Sequence, residues 1–361
     1  MLRRLRPLDG DDHAADGIDG FRGRQLLAAA RVPPRDELGE DGDRDLLLRA
    51  RAEVERDPWR CDRNAPSHYD VHVRFGSVED VERALAGESY LPDRGLATAI
   101  FLAHAMRRPL LLEGEAGVGK TEVGKTLARV LGAELIRLQC YEGIDAPQAL
   151  YEWDYARQLL YARTLQAGEL DVRARAGELY GPEFLVERPL LRAIRAGASA
   201  VLLIDELDRA DDEFEAFLLE LLSDFSVTVP EIGTIAAAEP PFVVVTSNRT
   251  RELHDALKRR CLYHWIEFPE LEREVAIIRL RVPGVSEALA RSVAGAVAHL
   301  RGLDLVKPPG AAEAIDWAQA LSILGADSVG GDGAGETLGW VLKNRDDLRR
   351  VAALGAEALG G

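Results

Sequence analysis

Gly114-Glu115-Ala116-Gly117-Val118-Gly119-Lys120-Thr121 reads G-x-x-x-x-G-K-T, the phosphate-binding loop pattern. In front of it, Pro109-Leu110-Leu111-Leu112-Glu113 is a short apolar run of strand type; behind it, Glu122–Leu131 has helical spacing. Strand, glycine loop and helix are the context that the pattern requires. Glycines let the backbone wrap closely, so successive N–H groups converge on an anion. The helix start adds free N–H groups and a partial positive charge. Residues Gly114, Glu115, Ala116, Gly117, Val118, Gly119, Lys120, Thr121 and Glu122 are therefore the expected phosphate-binding set. Lys120 would reach the β- and γ-phosphates, and Thr121 would hold Mg²⁺ through its hydroxyl.

Downstream, Ala200-Val201-Leu202-Leu203-Ile204 is an apolar run that ends in Asp205-Glu206. That suits a central parallel strand whose carboxyl end opens into the site. Asp205 is expected in the magnesium shell and Glu206 as the general base that polarises the attacking water. The competing reading, a strand that merely leaves into a charged loop, loses its force beside an upstream phosphate loop. Phe242–Ser247 is the next buried strand, followed by Asn248. Asn248 would bond the γ-phosphate or the water; as a plain strand-end turn residue it would also be ordinary. Leu257-Lys258-Arg259-Arg260-Cys261 follows a short helix. Arg259 or Arg260 would enter a neighbouring subunit's site as an arginine finger; the alternative is a solvated basic turn.

Length and composition bound the rest. The 361 residues leave room for two or three domains. With 47% hydrophobic and 29% charged residues, most of the chain can fold around cores. The net charge of −16, from 45 Lys+Arg against 61 Asp+Glu, argues against a large nucleic-acid footprint, which needs a basic face. Cys61, Cys140 and Cys261 lie far apart with no metal spacing, which fits a reducing cytosol and a cytoplasmic protein. Met1–Arg6 is basic without an apolar core behind it, so it is not a secretory signal. The longest apolar stretch, Leu96–Met106, is too short to span a bilayer.

Three segments follow. Residues 1–72 are rich in Asp, Arg and Gly, with two short helical stretches near Phe21–Arg31 and Arg44–Arg56. They read as a weakly ordered extension or the product of a mis-assigned start. Residues 73–267 form the α/β domain: a parallel-sheet core with helices on both faces. It opens with a helix over Ser77–Ala86, capped by Ser77 with Asp80, and another over Gly95–Arg107. Tyr90 and Leu91 between them read as core residues or as a cup for a base. Glu134–Cys140 is an alternating strand, Pro147–Arg163 an aromatic helix-like segment, Phe184–Ala196 a helix, and Val227–Ile235 a hairpin turning at Pro230–Gly233. Residues 268–361 form a small all-α lid with helices at Glu270–Arg281, Ser286–Arg301, Gly310–Leu324 and Glu336–Leu354.

The order phosphate loop, Val201–Glu206, Thr246–Asn248, Arg259–Arg260 resembles an AAA+ ATPase of the P-loop (ASCE) class. Within it the chain resembles the MoxR family, and most closely its CoxD-like branch. The text that carries this is Gln139–Asp145, Tyr151–Tyr155, Leu257–Cys261, Lys307-Pro308-Pro309 with Ile315–Ala318, and Thr337–Lys343, within roughly Val73–Val351. The resemblance implies ATP with Mg²⁺ bound between subunits of a ring, usually a hexamer, and ATP hydrolysis to ADP and phosphate. It implies that Pro147–Arg163 is a helix-2 insertion and Val227–Ile235 a pre-sensor hairpin. It implies a partner protein with a von Willebrand factor A domain. It also implies a chaperone-like role in maturing a metalloenzyme client, such as a molybdenum-containing carbon monoxide dehydrogenase. Many AAA+ proteins place an arginine at the start of a late lid helix; here the position falls on Lys307, which keeps the charge and loses the planar fork.

Two rival readings share these motifs: a DNA-processing motor and a slow ATP-gated scaffold. The hairpin Ser226–Ile235 carries Glu231 and no Lys or Arg, which disfavours DNA, where phosphate neutralisation supplies much of the affinity.

Overall fold

A computed structural model describes residues 75–167, 176–330, 334–355 and 359. The expectations for residues 1–72 lie outside the described residues.

The chain enters through α1 (Val78–Gly87), capped by the Ser77 hydroxyl accepting from the Asp80 N–H, and α2 (Arg94–Met106), capped in the same way by Asp93 onto Leu96. Next come β1 (Leu110–Gly114), α3 (Lys120–Leu131), β2 (Glu134–Gln139), α4 (Ala146–Leu150), β3 (Tyr151–Trp153) and α5 (Tyr155–Ala167). They are followed by β4 (Leu185–Glu187), α6 (Pro189–Ala196), β5 (Ala200–Asp205), α7 (Asp212–Asp224), β6 (Ser226–Val229), β7 (Gly233–Ala236), β8 (Phe242–Ser247), α8 (Asp255–Lys258) and β9 (Leu262–Ile266). The lid contains α9 (Leu271–Arg281), α10 (Glu287–Gly302), α11 (Ala311–Ile323), α12 (Ala334–Val341) and α13 (Arg345–Leu354).

The five-stranded sheet has the order β2-β5-β8-β1-β9 and is parallel throughout. Alternate residues of its strands feed two separate cores, because successive side chains point to opposite faces. Leu111, Leu202, Ile204, Val243 and Val245 pack with α6 and α7. Leu110, Leu112, Val201, Leu203 and Val244 pack with α1, α2 and α3. Burial on both faces explains why these strands are unbroken apolar runs rather than alternating ones. A third core belongs to α9–α13 and centres on the fully buried Trp317, whose indole N–H donates to the Thr337 hydroxyl at 2.8 Å.

The structure redraws four of the expected elements. Pro147–Arg163 is not one helix: the Asp145–Gln148 capping box with Pro147 starts the short α4, and Tyr151–Trp153 then pairs antiparallel with β4. The pairing lets Trp153 bury its ring while Glu152 faces out. The helix expected from Phe184 begins only at Pro189, since the proline presets the first helical turn and Leu185–Glu187 is taken by β4. Leu262–Ile266 forms a fifth strand beside β1 that periodicity did not mark, because Tyr263, His264 and Trp265 interrupt its apolar pattern. The last lid helix is two, broken where the Asn344 side chain accepts from the Asp346 and Asp347 N–H groups. The hairpin stands as read, with Val227 opposite Ile235 and Thr228 opposite Thr234.

Candidate functional site

In a parallel sheet all strands end on the same edge, so β1, β5 and β8 deliver their last residues to one place. From β1 the chain passes through the glycine loop into α3. A Cβ on Gly114 would lie 2.4 Å from the Ile266 carbonyl oxygen on β9, so only glycine lets the two strands stay paired at this point. Lys120, 6% exposed, folds back and donates to the carbonyl oxygens of Gly114 and Glu115, both at 2.7 Å. Burial pushes its ammonium below the usual lysine range, and the charges of Asp208, Glu115, Asp205 and Glu206 oppose that shift.

The next residue reaches across the fold. The Thr121 hydroxyl donates to Asp205 Oδ1 at 2.9 Å, which ties the loop helix to the end of β5. Thr246 on β8 donates to the same oxygen at 2.6 Å and accepts from the Glu206 backbone N–H at 2.9 Å. Asp205 Oδ2 accepts from Arg137 Nε at 3.0 Å and from its Nη2 at 2.5 Å. Glu206 follows in the left-handed region (φ 55°, ψ 50°), a conformation that costs a non-glycine residue about 1–3 kcal/mol and clusters at functional sites. This turn swings its carboxylate out of the strand line, where it meets Arg209 Nε at 3.0 Å. Asn248 is half-buried just past β8, and its side chain makes no hydrogen bond among the described residues.

Four partners were not found by reading the chain. Arg137 shows in sequence only as a polar residue inside a strand, and Thr246, although it opens the Thr246–Asn248 motif, has no partner announced there. Asp208 is buried; its Oδ2 accepts from the Thr250 N–H at 2.8 Å and hydroxyl at 2.6 Å, joining the loops after β5 and β8. Glu113, also buried, accepts from Ser247 and from Tyr263, each at 3.1 Å, beneath the glycine loop. Tyr90 takes the core reading: it packs against the α1–α3 core, burial raises its phenol pKa, and its ring lies 3.8 Å from where a Cβ on Gly119 would stand.

The C-terminal helices meet the loop. The Ala312 N–H donates to the Gly117 carbonyl at 3.3 Å. A Cβ on Gly310 would stand 2.7 Å from Gly117 Cα and 2.9 Å from the Ala116 carbonyl oxygen. A Cβ on Gly117 (φ +77°) would meet Glu313 Oε2 at 2.7 Å. Lys307 is exposed, and its backbone N–H donates to Asp347 at 3.0 Å. The lid residues at the loop are thus Gly310, Ala312 and Glu313. Because backbone cannot yield as a side chain can, Gly310→Ala should destabilise the protein by about 1–3 kcal/mol. Gly302→Ala, whose Cβ meets open space, should stay within about 0.5 kcal/mol of wild type by the same denaturant titration.

The arginine pair divides. Arg260 is held within its own chain, donating to the Leu219 carbonyl at 2.5 Å and to the Ser223 hydroxyl at the end of α7. Arg259 is exposed; its backbone N–H donates to the Asp255 carbonyl at 3.0 Å, and its side chain has no hydrogen bond or ion pair among the described residues.

Residues 109–261 match the AAA domain of the dynein-related subfamily. Protein NorQ of Paracoccus denitrificans is 29% identical over 228 residues, 60% of this chain and 74% of that protein. Chaperone MoxR1 of Mycobacterium tuberculosis is 24% identical over 215 residues, 57% of this chain and 48% of that one, so the chain spans about half of MoxR1's length. The Thermotoga maritima RuvB Holliday junction branch migration motor aligns at a TM-score of 0.41 and 18% identity, over 81% of this chain and 82% of that one, a likeness too loose to build on. The loop, acid pair and sheet order agree with the matched AAA domain, and the chain is similar to NorQ and to the chaperone MoxR1.

Proposed function

We propose that this protein is an ATP-hydrolysing remodelling machine that works as a ring, with its nucleotide on Gly114–Glu122. The observation that carries the reading is the 2.9 Å hydrogen bond from Thr121 to Asp205, made beside a lysine already folded into the glycine loop. Nucleotide and magnesium fit the residues present. Gly117 (φ 77°) and Gly119 (φ 96°) hold the loop in a positive-φ backbone that lets N–H groups face an anion, and a hydroxyl and a carboxylate are the hard oxygen donors that magnesium takes. Thr121 and Asp205 would hold the ion, which supplies charge neutralisation for the phosphates.

The chain's own groups account for the remaining chemistry. Lys120 exchanges two loop carbonyls for phosphate oxygens. Glu206, turned out of the strand by its left-handed backbone, takes the proton of the attacking water, and Asn248 orients that water. Arg259 is the finger for the adjacent subunit's site, since Arg260 is committed to α7. The lid reads the loop through Gly310 and Glu313, which leaves Lys307 outside that contact.

Within the MoxR family, the CoxD-like residues support a client in metalloenzyme maturation, such as a molybdenum-containing carbon monoxide dehydrogenase, and a partner with a von Willebrand factor A domain. The name of MoxR1 marks that relative as a chaperone. A hexameric ring and a cytoplasmic setting belong to the same proposal. Among the described residues no helix is long and apolar enough to cross a membrane. Burial pushes the Cys140 and Cys261 thiols up to about 12, so both are inert packing groups, as suits a reducing compartment.

Lys120→Ala tests the site itself. It removes charge-assisted hydrogen bonds worth about 1.5–3 kcal/mol each, so affinity for a fluorescent ATP analogue should fall by about tenfold or more. Unchanged affinity would show that the triphosphate binds elsewhere.

A further inference from the structure

Asp205 has no acceptor capacity to spare. An ionised carboxylate offers about four lone-pair sites. Thr121 and Thr246 occupy Oδ1, and two nitrogens of Arg137 occupy Oδ2. These partners differ in freedom. Thr246 is buried in β8 and Thr121 sits in the first turn of α3, so both hydroxyls are fixed. Arg137 stands on β2, the edge strand of the sheet, with 46% of its side chain exposed. Asp205 itself is 1% exposed, and a buried carboxylate with no positive partner is strongly destabilising. Lys120, the other nearby cation, is spent on loop carbonyls. Arg137 also bonds the Gln139 side chain two residues along the same strand, which steadies it in this pose.

We propose that Arg137 is a removable counter-ion for Asp205. Its guanidinium neutralises the carboxylate while the site lacks metal, and it gives up Oδ2 when hydrated magnesium enters with nucleotide. This rests on the magnesium and nucleotide reading given above. Thr121 and Thr246 keep their protons on Oδ1 in both states, so only the long side chain at the sheet edge moves. Metal affinity is then set below what the oxygen donors alone would give, by the cost of releasing the guanidinium. Arg137 is a positioning residue in this scheme and touches neither water nor phosphate.

The test compares wild type, Arg137→Met and Arg137→Lys as full-length protein. Mn²⁺ binding in the presence of ADP is followed by electron paramagnetic resonance, and thermal unfolding is recorded in EDTA and in saturating Mg²⁺ with ADP. Arg137→Met should bind Mn²⁺ about tenfold more tightly, the size of one half-exposed charged pair. Arg137→Lys, which keeps charge without the fork, should fall between. The unfolding midpoint of Arg137→Met should drop in EDTA and return to the wild-type value with Mg²⁺ and ADP; a variant that folds only with Mg²⁺ and ADP supports the proposal too. Equal or weaker Mn²⁺ affinity in Arg137→Met, or a midpoint deficit that persists with Mg²⁺ and ADP, would overturn it. Absence of Mn²⁺ and ADP binding in wild type would instead bring down the nucleotide reading, and the counter-ion role with it.

Discussion

Glu206→Gln should lower ATP turnover by about two to four orders of magnitude, the range of a lost general base, while ATP affinity stays within about twofold. The substitution keeps size, shape and the left-handed backbone, and the Glu206 N–H still donates to Thr246, so the frame around the phosphates is undisturbed. What disappears is basicity. The side chain is half-buried and its one ion pair, to Arg209, reaches a largely exposed arginine, so stability should shift by no more than about 0.5 kcal/mol. Phosphate release measures the first quantity and a fluorescent nucleotide the second. Turnover at the wild-type rate would remove Glu206 from the base role. The same variant, held in ATP, should retain the proposed von Willebrand factor A domain partner longer than wild type does in a pull-down with that purified protein.

Arg259→Ala is the second large effect. A finger that neutralises charge in the transition state is worth about 10³–10⁵ in turnover, and this side chain has no competing attachment among the described residues. Arg260→Ala should differ in kind. It loses the donors to Leu219 and Ser223 that satisfy the last turn of α7, so its main cost is about 0.5–2 kcal/mol of stability, with turnover lowered far less. Mixing separates cis from trans. Neither Arg259→Ala nor Glu206→Gln turns over alone. In a random equimolar ring, about a quarter of the sites pair an intact Glu206 with an intact neighbouring Arg259, and activity should reappear to that extent. No recovery on mixing would place every catalytic group within one chain.

The residues proposed to carry chemistry were readable because each is announced locally. The loop has its glycine spacing, and the acid pair closes an apolar run. Their mutual placement followed from a rule about parallel sheets. What stayed hidden depends on partners distant in the chain. Arg137 looked like one more polar residue on an alternating strand until β2 paired with β5 in register Gln139–Asp205. Thr246 is one hydroxyl in a valine run, yet it fixes both acids. β9 went unread because its side chains are not uniformly apolar; its place is set by the backbone of β1. Lys307 was chosen for its charge, whereas the contact with the loop is made by Gly310, Ala312 and Glu313.

That bare contact between Gly117 and Gly310 has a mechanical consequence. Where side chains meet, rotamers can absorb a small displacement; where main chain rests on main chain, there is no such slack, and packed interiors transmit strain with little compression. A shift in the turn before α3 therefore bears directly on the start of α11, the helix that carries the buried Trp317 ring. The two glycines leave the loop and the start of α11 in main-chain contact, with the Ala312 N–H on the Gly117 carbonyl.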